Sequence, residues 1–237
     1  MNIVVNSQPS DIPRTVVPIE RPIISAIAFR VRDADAAYRR ALDLGAWEIP
    51  IRAQALELNI PGVHGVGESL IYFVDRYDEF SIFDIDFRVI PGIDRNPPAI
   101  KEMSFFGLVQ YVGVERTGDW TEFYSQIFGF NQIPDDVRFG IMPSGALLQS
   151  PCKKFFLQLI EPDGAAQFAP MEEHLQRIGL GTPDVVGATG ELEKRGIEFL
   201  ATDKVHTSDR GALTKAVLGG VMFELVHTEP IASAWRP

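Results

Sequence analysis

The sequence predicts an α+β fold of three βαβββ modules, two of them paired into an open barrel. Three observations predict it. A strand-like run, a capped amphipathic helix and several short strands recur three times along the 237 residues. Each helix closes on a glycine, at Gly45, Gly129 and Gly196, where a left-handed residue ends helices without a Cβ clash. These glycines lie 84 and then 67 residues apart, a spacing of domain-sized modules that is too long for a solenoid.

The first module is expected over residues 23–93. IISAIAFRVRDADAAYRRALDLGA opens it with an alternating, β-branched strand. Asp33 is placed to cap a short amphipathic helix. EIPIRA, ALELNIPGV, SLIYFVDR and IFDIDFRVIPG then read as four extended segments, separated by proline or glycine. The lead-in 1–22 is rich in proline and polar residues and reads as an arm. DRNPPAI, residues 94–100, has two consecutive prolines and no apolar pattern, which marks a linker.

The second and third modules share residues 101–230. FGLVQYVGVERTGDWTEFYSQIFGF, residues 106–130, supplies strand, helix and glycine, with RFGIMPSGALLQ and KKFFLQLIEP as strands. The third copy starts at LQRIGLGTPDVVGATGELEKRGIEFL, residues 175–200, with Thr182 expected as cap and Pro183 at the first helical position. GALTKAVL and VMFELVHT close it.

Composition narrows the function. Hydrophobic residues make up 46% and charged residues 23%, ordinary for a globular chain. A formal net charge of −10 argues against nucleic-acid binding. One cysteine, Cys152, excludes an intrachain disulfide. No secretory signal or membrane-length apolar run is visible, so a cytoplasmic location without membrane contact is expected. No phosphate-binding glycine loop, Ser–His–Asp set or CxxC pair is present.

One residue conflicts with its surroundings. Glu224 stands between apolar neighbours in the last strand. A carboxylate there costs free energy unless it is paired, protonated or metal-bound.

The module order resembles the vicinal-oxygen-chelate (glyoxalase/bleomycin-resistance) superfamily, and WTEFYSQIFGF resembles its helix signature. A closer resemblance is to the 4-hydroxyphenylpyruvate dioxygenase family. It is carried by IAFRVRDADAAYRRALDLGA, LELNIPGVHGVGESLIYFVDRY, SIFDIDFRVIPGIDRNP, IGLGTPDVVGATGELEKRGIEFL and VMFELV, over about residues 23–228. The resemblance implies a barrel that holds Fe(II) through two histidines and a glutamate, with open positions for a 2-oxo acid and O₂.

The sequence departs from that pattern. The resemblance enters at the family's second module, and nothing after HTEPIASAWRP matches its C-terminal helix. The first histidine position falls on Gln110, or on Val109 if the hydrophobic phase is matched instead. The second falls on Arg177, and the third ligand is retained as Glu224. Arginine is cationic and cannot ligate iron. An Arg177–Glu224 ion pair is therefore expected in the metal position, able to orient a ligand carboxylate.

Gln158, Gln176 or both are expected to line the cup, and Gln110, Gln158, Arg177 and Glu224 are the expected ligand-binding residues. Gln110 and His174 are the remaining metal candidates beside Glu224. His174 lies three residues before Arg177 and needs a bend to share its face. His227, three after Glu224, points away; His64 is expected in a solvent-facing turn, and His206 in a loop over the third module. The expected protein is dioxygenase-related, with a cup for a small aromatic or 2-oxo acid and no normal Fe(II) site. It would hold no metal, or a divalent one weakly. The alternative is an active non-haem dioxygenase with Fe(II) on a non-standard ligand set. A first module without a barrel partner predicts a homodimer, or an arm that covers its apolar face.

Overall fold

The computed structural model describes residues 1–6, 21–50, 60–78, 81–94, 96–137, 139–141, 144–161, 172–200, 211–217, 220–229 and 231. His206 and residues 7–20 of the expected arm lie outside them.

The first module contains β1 (Ala26–Arg30), α1 (Ala34–Asp43), β2 (Gly62–His64) and β3 (Leu70–Val74). Asp33 caps α1, its Oδ1 accepting from Ala36 N at 2.8 Å. Gly45 follows the helix at φ +91°. The sheet order is β1-β3-β2, with β1 parallel to β3. His64 is half-buried at the end of β2, opposite Leu70.

IFDIDFRVIPG is not the expected strand. Its first half is a short helix, α2 (Ile82–Asp86). The reason lies at Ser81 and Asp84. The Asp84 carboxylate accepts from Ser81 N at 3.2 Å and from Ser81 Oγ at 2.8 Å, a serine–acid cap that nucleates a helical turn. β3 is therefore the module's last strand. It runs parallel beside β1, as β7 runs beside β4 in the second module. Residues 87–94 form neither helix nor strand, and Phe87, Val89, Ile90 and Ile93 on them are exposed.

The second module holds β4 (Ser104–Tyr111), α3 (Thr117–Phe128), β5 (Asn131–Gln132), β6 (Gly145–Gln149) and β7 (Phe156–Ile160). The third holds β8 (His174–Thr182), α4 (Val185–Lys194), β9 (Ala212–Leu213) and β10 (Met222–His227). Among the described residues of RFGIMPSGALLQ, the strand is Gly145–Gln149. Thr182 is also not the α4 cap. It completes the ladder with His227 and donates to Lys101 O at 2.6 Å. Asp184 caps instead, its Oδ1 accepting from Gly187 N at 2.8 Å.

Modules two and three share one open sheet of seven strands, ordered β5-β6-β7-β4-β8-β10-β9. Their seam is the antiparallel β4–β8 pair. The α3 side of this sheet carries Leu108, Leu157, Leu159, Leu175 and Ile178 in the main core. The opposite side carries Phe106, Leu147, Phe156 and Val226, joined by Phe139 and Ile231.

The first module has a partner within the chain, contrary to expectation. Phe29 meets Phe128, Phe130 and Phe155 at ring-centroid distances of 5.5, 5.9 and 5.6 Å. Arg40 Nη1 donates to Ile127 O, at the end of α3, at 2.6 Å. Aromatic residues at the end of α3 and just before β5 and β7 give Phe29 a large apolar surface to pack against. On the other face of β1, Ala28 and Arg30 are exposed.

Candidate functional site

The site lies on the sheet face away from α3, and strand register builds it. Val109 pairs with Gln158 on one side and with Arg177 on the other. One step along, Gly107 pairs with Phe156 and Gly179, and Gly179 pairs with Glu224. Gln158, Arg177 and Glu224 therefore project from β7, β8 and β10 on one face. The Phe106 ring lies where a side chain on Gly179 would stand. It packs edge-on against Phe139, which packs edge-on against Phe156.

Arg177 Nη1 stands 3.3 Å from Glu224 Oε2. Glu224 is fully buried and Arg177 is 6% exposed. Burial pushes the Glu224 carboxyl up from its ordinary pKa; the Arg177 charge and the Ile141 N–H oppose this without cancelling it. Arg177 Nη2 donates to Tyr111 Oη, and the guanidinium lies 5.3 Å from the Tyr111 ring centroid.

The segment 139–141 crosses this face. Ile141 N donates to Glu224 Oε1 at 2.6 Å, and Arg177 Nη1 donates to Ile141 O at 3.1 Å. Gly140 has φ +91° and lies against Gln158; a Cβ there would fall on Gln158 Nε2 and 2.8 Å from Glu224 Oε1. The Gln158 amide favours the Glu224 anion slightly by proximity. Yet among the described residues its Nε2 and Oε1, like Arg177 Nε, are buried with no hydrogen-bond partner of good geometry. Such groups are uncommon in folded proteins and call for an explanation.

Gln110 is not part of this set. It follows Val109 in regular strand, so with Val109 on the site face Gln110 points to the other. Its Oε1 accepts from Tyr124 Oη of α3 at 2.9 Å. Val109 is the residue opposite Arg177.

The bend that His174 needs is present. Val109 pairs with Arg177 but Gln110 pairs with Leu175, which leaves Gln176 as an extra residue on β8. His174 comes opposite Tyr111, with ring centroids 5.6 Å apart. Its nitrogens are occupied locally, Nδ1 with Glu172 O at 2.6 Å and Nε2 with Gln176 Oε1 at 2.5 Å. His227 shares the α4 side of β10 with Leu225.

This arrangement does not suit Fe(II). One Glu224 oxygen faces an N–H and the other a guanidinium, which has no lone pair to give. Among the described residues no three His, Cys, Asp or Glu side chains converge as metal ligands.

Sequence reasoning missed Tyr111 and the 139–141 segment. Tyr111 carried a signal, since it follows the first expected ligand position in the same strand. Gly140 carried another: a glycine inside an apolar run, which often marks close backbone approach.

Comparison with known proteins agrees with this architecture. The family description "Hydroxyphenylpyruvate dioxygenase, HPPD, N-terminal" matches residues 1–88. A 4-hydroxyphenylpyruvate dioxygenase of Pseudomonas sp. (strain P.J. 874) is 36% identical over 210 residues, 88% of this chain and 56% of that protein. The enzyme of the same name from Pseudomonas aeruginosa is 30% identical over 214 residues, 87% of this chain and 60% of that protein. The chain thus spans somewhat over half the length of these relatives. A mutant of 4-hydroxymandelate synthase from Streptomyces coelicolor shares the fold, with a TM-score of 0.58 and 17% identity over 86% of this chain and 69% of that one. Module order, sheet topology and sequence together identify this chain as a 4-hydroxyphenylpyruvate dioxygenase-like protein of the vicinal-oxygen-chelate type.

Proposed function

We propose that this chain binds a small acid, aromatic or 2-oxo, at Gln158, Arg177 and Glu224, and does so without an Fe(II) centre. One observation carries the reading: a fully buried Gln158 amide that, among the described residues, makes no well-formed hydrogen bond, beside a buried arginine–carboxylate pair. A ligand carboxylate would take the free arginine donor and the amide N–H, which would lift the cost of leaving them unmade. The aromatic cluster of Phe106, Phe139 and Phe156 would meet its ring.

The test is titration calorimetry of chelator-treated protein with 4-hydroxyphenylpyruvate and phenylpyruvate. Saturable binding to metal-free protein supports the reading. Binding that appears only after Fe(II) is added, with consumption of O₂, would support the second reading. In that reading the chain is an active non-haem dioxygenase with an unusual ligand set, favoured by the names of its relatives and by the retained Glu224.

The reading places the domain boundary at 94–100, between the two sheets, and the protein in the cytoplasm. It also includes a homodimer. Support for that comes from the exposed apolar strip of Phe87, Val89, Ile90 and Ile93. A monomer by light scattering at micromolar concentration would remove the dimer. Among the described residues no helix is long and apolar enough to cross a membrane.

A further inference from the structure

β1 is an edge strand, and its counterparts in the other two modules are not. Each module opens with a strand that runs parallel to a later one: β1 beside β3, β4 beside β7 and β8 beside β10. β4 and β8 turn their remaining edges to each other and pair antiparallel within the seven-stranded sheet. β1 stands at the end of the order β1-β3-β2. Ile24, ahead of it, bridges to Leu175. From Ala26 to Arg30, no strand among the described residues lies on the second side of β1.

The backbone shows what that edge offers. Ser25 O accepts from Leu70 N, and Val31 N donates to Val74 O, both at 2.9 Å. Strand residues two apart turn their backbone groups the same way, so Ile27 and Phe29 also bond β3. The N–H and C=O groups of Ala26, Ala28 and Arg30 then face outward. Ala28 and Arg30 are exposed. Neither a proline nor a shift of register interrupts the pairing with β3. A regular open edge of this kind is a template for another strand.

We propose that β1 pairs antiparallel with β1 of a second copy of this chain, repeating between chains the β4–β8 seam made within one. This rests on the homodimer reading above and names its interface. The strand is complementary to itself. A two-fold axis at Ala28 sets that residue opposite its own copy, exchanging both backbone hydrogen bonds, and sets Ala26 opposite Arg30. Ala28 stands 17 residues before Gly45, as Gly179 stands 17 before Gly196, and Gly179 meets Gly107 in the internal seam. Small side chains thus occupy the same place in both. The two Arg30 residues would lie about 13 Å apart along the strands, beyond the reach of strong repulsion in physiological salt. Each guanidinium is held over Tyr77 of its own module, 5.1 Å from the ring centroid. The two three-stranded sheets would become one of six strands.

Light scattering and amide exchange of the wild-type chain test the proposal, with Ala28→Pro and Ile90→Ser beside it. The wild type should be a dimer in which the Ala28 and Arg30 amides are protected together with those of Ile27 and Phe29. Ala28→Pro deletes only an outward N–H and so spares the β1–β3 ladder. It should raise the dimer dissociation constant roughly tenfold or more, through the two hydrogen bonds lost at the axis. Ile90→Ser, in the exposed apolar strip, should weaken the dimer less. A dimer whose Ala28 and Arg30 amides exchange freely, or one lost in Ile90→Ser and kept in Ala28→Pro, would overturn the β1 interface and leave the homodimer standing. A monomeric wild type would overturn both. Exchange in the wild type decides the matter even if Ala28→Pro fails to fold.

Discussion

Arg177 and Glu224 meet 3.3 Å apart on neighbouring parallel strands, with Glu224 fully buried and no second cation in contact with it among the described residues. The pair carries no net charge, so the sheet can enclose it. Either partner alone would be a buried, uncompensated charge.

Removing one partner should therefore be severe. Arg177→Met or Glu224→Leu alone should each cost about 3–5 kcal/mol of unfolding free energy, while the double variant should lose much less. Urea unfolding of the four proteins gives the coupling directly. Additive losses would show that the two charges do not depend on each other.

Gln110 and Tyr124 form a second buried polar pair, on the α3 side. Burial pushes the Tyr124 hydroxyl pKa far up, so it stays a donor throughout the working range. Tyr124→Phe should cost about 1–3 kcal/mol by leaving the Gln110 oxygen unsatisfied. Because the pair faces away from Arg177, Tyr124→Phe should leave acid affinity unchanged in calorimetry.

The α2 turn depends on Ser81 and Asp84. Asp84→Ala should cost about 1 kcal/mol. Amide exchange should rise from Ser81 to Asp84 and stay unchanged in the seven-stranded sheet.

Glu161 gives a pH signature. The Thr117 hydroxyl, followed by Glu115 N–H, holds its carboxyl below the ordinary value of 4.5. A lowered folded-state pKa stabilises the fold above the unfolded value and loses that contribution as pH falls through the folded one. The stability gap between wild type and Glu161→Gln should be constant at neutral pH and shrink as pH drops below about 4.5. A gap that persists into strong acid would refute this role for the Thr117 and Glu115 contacts.

The modules were legible because each carries local punctuation. Gly45, Gly129 and Gly196 all sit at positive φ, at +91°, +72° and +86°. The Arg177–Glu224 pair was legible through the resemblance, whose ligand positions fall on both residues, and the β8–β10 ladder that sets them side by side is regular. What failed was ungapped counting. Anchoring the repeats without gaps puts Gln110 at the first ligand position, whereas the hydrophobic phase gives Val109, the residue that pairs with Arg177. For His174 strict alternation fails, because the extra residue at Gln176 brings it to the Arg177 face. A bulge leaves no composition signal, since it depends on how two strands pair. IFDIDF misled for a different reason: its apolar alternation suits a strand, and a single serine–aspartate contact outweighs it.

The β4–β8 seam has a further consequence. Modules two and three are joined by backbone hydrogen bonds in the middle of one ladder, whereas the first module is fastened by side chains such as Phe29 and Arg40 and by the isolated Ile24–Leu175 bridge. The chain should come apart in two stages. Amide protons of Leu108 and Ile178 should exchange with solvent only through the rarest opening, shared by both modules, while those of β1 and β3 exchange through a lower-energy one. Residues 101–230 would thus be one cooperative unit made from two copies, to which the first copy is docked.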